Sequence, residues 1–269
     1  MIKFLVRFRY RQPLTVLFRR LSMRCLALRW SVPSSSRAPR SSSIEDYYTN
    51  QFLAAHQVHI RGRVLEAGGD SLMRRFGRDA HSLHVIAAPG ISIPNVTLAA
   101  DMTLLSELPE RQFNCFICTD TLHRFVDPRA AIRGAFRMLR PGGVLLASFP
   151  TLPAAATNPE AARARDYWRF TPAAVQECLT EVFGAGQVEV HPFGNRLSAT
   201  AVLAGLSYDQ IGTNRLAPVE PGCEVVICAM ARKAVDAADG NADATRASEP
   251  QESATPPRRL KKKRRPEAN

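Results

Sequence analysis

The sequence has no apolar run approaching the roughly 20 residues that cross a bilayer, so no transmembrane helix is expected. It has no second Cys-x-x-Cys to complete the pair Cys115/Cys118, which removes the usual four-cysteine zinc pattern. That pair also falls in the strand-like run Phe113 to Cys118, where positions three apart point to opposite faces. The six cysteines, Cys25, Cys115, Cys118, Cys178, Cys223 and Cys228, sit in apolar stretches of a chain too long to need disulfide staples. They read as reduced, buried small hydrophobes. His56/His59 and His81/His84 have ligand spacing, but no cysteine or carboxylate cluster stands beside them in sequence. They read as structural or exposed histidines, and no metal is expected.

Acid is absent from residues 1–43, which carry ten Lys+Arg. Residues 234–269 hold eight basic and six acidic groups, and residues 44–233 hold eighteen of each. The net charge of +12 therefore lies in the two ends, around a neutral middle. A folded domain that reads nucleic acid usually carries its own basic face, so nucleic acid is not an expected partner of the middle region. With 269 residues, 45% of them hydrophobic, the chain suits one substantial domain or two small ones.

Residues 14–28 place Leu14, Leu17, Phe18, Leu21, Cys25 and Leu28 at helical spacing, with Arg19, Arg20 and Arg24 largely elsewhere on the circumference. This basic amphipathic segment fits a membrane-surface anchor, a transit peptide or a docked helix. A Ser/Pro/Arg linker follows, up to residue 43. After Lys233 the composition shifts to Ala, Asp, Ser, Pro and Glu and then to the basic run Lys261 to Arg265, which reads as a disordered tail. The organisation expected is a basic extension over 1–43, a globular domain over 44–233 and a tail over 234–269. The expected location is cytoplasmic, with peripheral attachment to an anionic membrane surface through the basic ends.

Strand-like runs cover Arg63–Ala67, Leu83–Ala87, Val96–Ala100, Phe113–Cys118, Val144–Phe149, Val188–His191 and Glu224–Ala231. One helix is expected between the fourth and fifth, capped by Asp127, with Pro128 in its first turn and Gly142 at its end. A second has Thr171 as cap, Pro172 in its first turn and Gly184 after it. Alternation of buried strands with helices predicts an α/β fold, a mainly parallel sheet covered on both faces.

In such a sheet a ligand sits at the carboxyl ends of the strands. Strand one ends in Glu66-Ala67-Gly68-Gly69-Asp70, strand three in Asp101-Met102, and strand four in Thr119-Asp120-Thr121-Leu122-His123. Every one of these ends carries a carboxylate, which suits a ligand with hydroxyls, an amino group or positive charge.

These segments, with Leu122 to Pro128 and the stretch Arg137-Met138-Leu139-Arg140-Pro141-Gly142-Gly143, resemble class I S-adenosylmethionine-dependent methyltransferases. The likeness is to the small-molecule branch, and Gly62 to Glu66, Arg74 to Gly77, Asp166 to Thr171 and Gly194-Asn195 are similar to a bacterial subgroup often encoded beside sugar transferases. The resemblance implies a Rossmann-like fold with a seven-stranded sheet and S-adenosylmethionine as cofactor. It implies that Glu66 and Gly68 border the methionine part, Asp101 and Met102 hold the adenine, and Thr119 and Asp120 line the cofactor near the transferred methyl. An acid at the end of strand two, which would take the ribose hydroxyls, is missing between His81 and Ala88, leaving Asp70 and Asp79 as substitutes. His123 and Asp120 are the candidate catalytic residues, His123 having an intrinsic pKa suited to a base. After strand five the resemblance implies an acceptor-side lid, with Tyr167 and Trp168 to stack on a sugar face and Arg169 to bind an acid; the alternative is that the two rings simply close the domain. The expected activity is methyl transfer to oxygen of a small molecule or glycan precursor. The alternative is a pseudoenzyme, a scaffold whose tails bind anionic membrane or nucleic acid. The absence of an Asn/Asp-Pro-Pro-aromatic sequence after strand four and of a Pro-Cys nucleophile speaks against nucleic-acid methylation.

Overall fold

Along β1 (Arg61–Ala67), successive side chains enter two different cores, Val64 one and Leu65 the other. In the computed structural model, which describes residues 43–153 and 166–235, the alternation recurs at Cys115, Phe116 and Ile117 of β4 (Phe113–Cys118) and at Val144, Leu145 and Leu146 of β5 (Leu139–Pro150). Strands buried on both faces must lie inside a covered sheet. β2 (Asp79–Ala87), β3 (Leu98–Ala99), β6 (Val188–Phe193) and β7 (Val226–Arg232) complete seven strands in the order β3-β2-β1-β4-β5-β7-β6. β7 alone runs against its neighbours.

One face is covered by α1 (Ile44–Ala55), α2 (Ser71–Phe76) and α5 (Arg196–Leu203), which contribute Tyr48, Phe52, Met73, Phe76, Ala201 and Val202 to its core. The other is covered by α3 (Pro128–Met138) and α4 (Pro172–Phe183), through Ile132, Ala135, Met138, Val175, Leu179 and Phe183. Asn195 caps α5 through its side-chain oxygen and donates to the carbonyls of Arg215 and Pro218, at 3.0 and 2.9 Å. The hydroxyl of Tyr48 donates to the Leu216 carbonyl, so the same segment is tied to α1.

The caps of α3 and α4 are those expected. Asp127 accepts from the Ala130 amide and Thr171 from the Ala174 amide, with Pro128 and Pro172 in the first turns. The end of α3 differs, because the helix stops at Met138 and not at Gly142. Arg140 precedes a proline and is disfavoured from helical geometry, and Leu139 already pairs with Phe113 in the sheet. The Lys233 ammonium caps the helix instead, donating to the carbonyls of Phe136 and Leu139 at 2.8 Å each.

The third strand is shorter than expected, because Thr97 turns its amide and hydroxyl onto Val85 before β3 begins. Cys115 and Cys118 enter opposite cores. Burial pushes the Cys115 thiol well above its ordinary range and those of Cys118 and Cys228 up to about 12. No helix among the described residues is long and apolar enough to cross a membrane. The expected amphipathic segment at 14–28, the linker and the basic tail lie outside the described residues.

Candidate active site

β1 and β4 are neighbours, yet the chain leaves β1 toward β2 and leaves β4 toward β5. The loops diverge above that boundary and open the crevice in which ligands of such sheets bind.

At the end of β1, Gly68 adopts φ +79°, and a Cβ placed on it would meet nothing within 4 Å. Backbone is therefore laid open toward the crevice where a side chain would intrude. Glu66, 3% exposed, points the other way in function. Its Oε1 accepts from the Leu72 amide at 3.2 Å and its Oε2 from the Met73 amide at 2.7 Å. Burial raises its pKa, the two amides oppose that rise, and the charge of Asp70 adds to it. The carboxylate thus holds the first turn of α2, whose N-cap Asp70 makes no capping bond. Asp70 instead pairs with Arg74 at 2.6 Å and accepts from Asn95 at 2.9 Å, and the bond from Arg74 holds its pKa below the usual range.

Of the two substitutes for a strand-two acid, Asp79 is excluded by position. It is the first residue of β2, paired with Arg61, at the amino edge of the sheet. Asp70 lies at the carboxyl edge, joined to Asn95 of the β2–β3 connection.

After β3, Oδ1 of Asp101 accepts from the amide and hydroxyl of Thr103, both at 2.8 Å, and Oδ2 has no partner among the described residues. Met102, expected against a ring, is 3% exposed within the apolar core. Its carbonyl lies under α3, so close that a Cβ at Gly134 would come within 2.0 Å of the Met102 oxygen. Glycine there lets the helix press on this turn.

After β4, Asp120 has φ +48°, and its amide donates to the Ser148 hydroxyl of β5 at 3.0 Å. The Thr119 carbonyl accepts from Thr121. His123, 4% exposed in the turn Leu122–Arg124, holds Nε2 3.8 Å from a carboxylate oxygen of Asp120 and 3.8 Å from one of Asp166. Its Nδ1 is buried with no hydrogen-bond partner among the described residues. Burial lowers its pKa and outweighs the opposing pull of the two carboxylates.

The Tyr167 and Trp168 amides both donate to the His123 carbonyl, and the Trp168 indole donates to the Phe125 carbonyl at 2.9 Å. The segment after β5 is therefore strapped over the β4 turn, with the Tyr167 and Trp168 rings half-exposed. Arg169, expected to bind an acidic acceptor, is engaged already by Asp166 and the Trp168 carbonyl. Asp166 is in turn held below the usual carboxylate range, chiefly by that guanidinium.

Sequence reasoning missed two contributors. Ser148 lies mid-run in a buried strand and carries no local sign of its contact with Asp120. Glu45, in the first turn of α1, has its pKa raised by burial, with the charges of Asp46 and Asp120 adding to the effect. The acidic pair following Ser43 marks a helix start but not what that start approaches.

Residues 79–147 match a methyltransferase-domain family. No curated protein matches the chain. Among solved structures, an S-adenosylmethionine-dependent methyltransferase from Mesorhizobium loti is similar at 17% identity and a TM-score of 0.47, over 68% of this chain and 96% of that one. An S-adenosylmethionine-dependent methyltransferase from Archaeoglobus fulgidus is similar at 12% identity and a TM-score of 0.45, over 70% and 94%. Phosphoethanolamine N-methyltransferase 2 of Haemonchus contortus, solved with S-adenosylmethionine, is similar at 15% and 0.45, over 70% and 53%.

The match covers the middle of the domain, and the strand order with its single reversed strand is the Rossmann-like arrangement expected of class I methyltransferases. The crevice fits the S-adenosylmethionine that the resemblance implies at the open Gly68 backbone and at the Asp101 oxygen that has no partner among the described residues, and offers no carboxylate at the end of β2.

Proposed function

We propose that the chain methylates a hydroxyl of a small molecule or glycan precursor, with His123 as the base. The observation that carries this reading is the buried imidazole at the carboxyl end of β4, with Nε2 3.8 Å from both Asp120 and Asp166. Burial lowers the His123 pKa and so favours the neutral form, the one that can accept a proton. Once it is protonated, the two carboxylates stabilise the imidazolium. Tyr167 and Trp168 would face the acceptor as aromatic surfaces suited to a sugar ring.

Gly68 would lie along the methionine part of the cofactor, with Glu66 acting behind it by fixing α2. Asp101 Oδ2 would accept from the adenine amine, and the buried Met102 would support that turn from beneath. Thr119 and Asp120 would stand nearest the reacting centre. The bound cofactor supplies an electrophilic methyl group on sulfonium, and holding the acceptor oxygen in line with it provides much of the acceleration. For the two basic ends the proposed partner is an anionic membrane surface.

The test measures transfer of labelled methyl to a panel of hydroxylated small molecules and sugar nucleotides, alongside donor calorimetry. His123→Ala should lower turnover by about 10²- to 10⁴-fold and leave donor affinity unchanged. Full turnover of that variant from pH 6 to pH 9 removes His123 as base. Absence of heat with both S-adenosylmethionine and its demethylated product selects the scaffold alternative.

A further inference from the structure

The fold brings His56 beside Glu189 and His191, more than 130 residues further along the chain. His56 follows α1 and closes it. Its backbone amide donates to the Phe52 carbonyl, and its Nδ1 lies 2.9 Å from the same oxygen. The proton therefore sits on Nδ1, and Nε2 carries the free lone pair, the orientation that a backbone carbonyl imposes on metal-binding histidines. Glu189 and His191 lie two residues apart on β6, so both project from one face of this edge strand. The His191 ring packs on Phe52 and on His56, with centroids 5.6 and 5.4 Å apart. Its Nε2 is buried, has no hydrogen-bond partner among the described residues, and lies 3.6 Å from Oε2 of Glu189.

We propose that His56, Glu189 and His191 form a divalent-metal site, of the kind that takes Zn²⁺, clipping the end of α1 to the sheet edge. One ligand atom from each residue lies within 4.8 Å of the other two. Around tetrahedral Zn²⁺, with bonds of about 2.0 to 2.2 Å, ligand atoms stand roughly 3.4 Å apart. The His191–Glu189 pair is already near that spacing. The Glu189 side chain is 59% exposed and can swing to close the rest.

Two imidazoles and one carboxylate suit Zn²⁺ better than Mg²⁺ or Ca²⁺, which take oxygen ligands. Water completes the shell. His59, whose ring centroid is 6.3 Å from that of His56, has its pKa lowered chiefly by burial, with Arg232, His56 and Arg61 adding to the effect. The two arginines make it the poorer fourth ligand.

The site shares no residue with the strand-end crevice, so it stands whether or not the reading of His123 holds. Its effect would be structural. It fixes the last turn of the helix whose first turn carries Glu45, within electrostatic reach of Asp120.

The test uses the untagged full chain, stripped with chelator and titrated with ZnCl₂ or CoCl₂. Expected are one equivalent bound, a rise in Tm, and the intense visible absorption of low-coordinate Co²⁺. His56→Ala, His191→Ala and Glu189→Gln should each weaken Zn²⁺ binding by more than tenfold and remove the rise in Tm. His81→Ala, an exposed histidine on β2, should leave both unchanged. Tm in chelator checks folding, and Glu189→Gln, at an exposed position, keeps the test open if a histidine variant does not fold. A wild-type Tm indifferent to Zn²⁺, or equal affinity in wild type and all three variants, overturns the proposal.

Discussion

The two halves of the sheet are secured differently. From β4 onward the covering helices α3 and α4 are eleven and twelve residues long, and each starts on its own cap, Asp127 or Thr171. On the β1–β3 side, α2 has six residues and a cap that makes no capping bond, and the connection from β2 to β4 holds only the two-residue β3 and a single 3-10 turn, Leu105–Glu107. Helices as short as α2 are marginal without outside support. That support is the Glu66 carboxylate, lodged under the helix from the preceding strand. In this half an acid at a strand end serves first to build the crevice wall. The half that lays backbone open to the crevice is thus held by a few buried polar contacts, and the other by apolar packing and local caps.

The largest test of this contrast is Glu66→Ala, which strips two amides of a buried acceptor and should cost about 3 kcal/mol in chemical denaturation. Its pH behaviour sharpens the point. The folded-state pKa of Glu66 is raised, so the folded protein binds the proton more tightly than the unfolded chain. Its contribution is therefore most favourable below the unfolded value of about 4.3 and declines as pH rises through the folded value. Wild type should lose stability relative to Glu66→Gln over that window, and parallel pH profiles would refute the assignment.

A middle-sized effect is expected at Asp101. Asp101→Asn retains an oxygen for the Thr103 turn but replaces the open acceptor by a donor. Affinity for S-adenosylmethionine should fall by roughly 1 to 3 kcal/mol in calorimetry, with Tm of the unliganded protein nearly unchanged. A loss of Tm without loss of affinity would make Asp101 a turn residue only.

The smallest effects belong to the other half. Asp127→Ala and Thr171→Ala each remove one exposed cap and should cost about 1 kcal/mol apiece. If either approaches the cost of Glu66→Ala, the two halves are not secured differently and the comparison fails.

Much of the framework was legible because it is written in short-range terms. Near-continuous apolar runs in β1, β4 and β5 marked strands buried on both sides, and Asp-Pro and Thr-Pro marked the starts of α3 and α4. The end of α3 was misplaced because the residue that closes it, Lys233, lies some ninety residues away. The carboxylates at the strand ends were legible as positions, not as roles. Only the fold shows that Glu66 faces the amides of α2, that Arg169 is engaged by Asp166, and that Asp79 lies at the wrong edge.

What the sequence determined by itself, then, is what depends on neighbours in the chain: strand and helix period, caps, the neutral middle with basic ends, and the order of strand-end acids. What the tertiary structure alone decided is which distant groups share a few ångströms of space. Asp166 comes beside His123, Glu45 comes within electrostatic reach of Asp120, and Glu189 and His191 meet His56 across more than 130 residues. Spacing along a chain sets direction within one element, whereas contact between elements depends on strand order and helix packing, which no local pattern encodes.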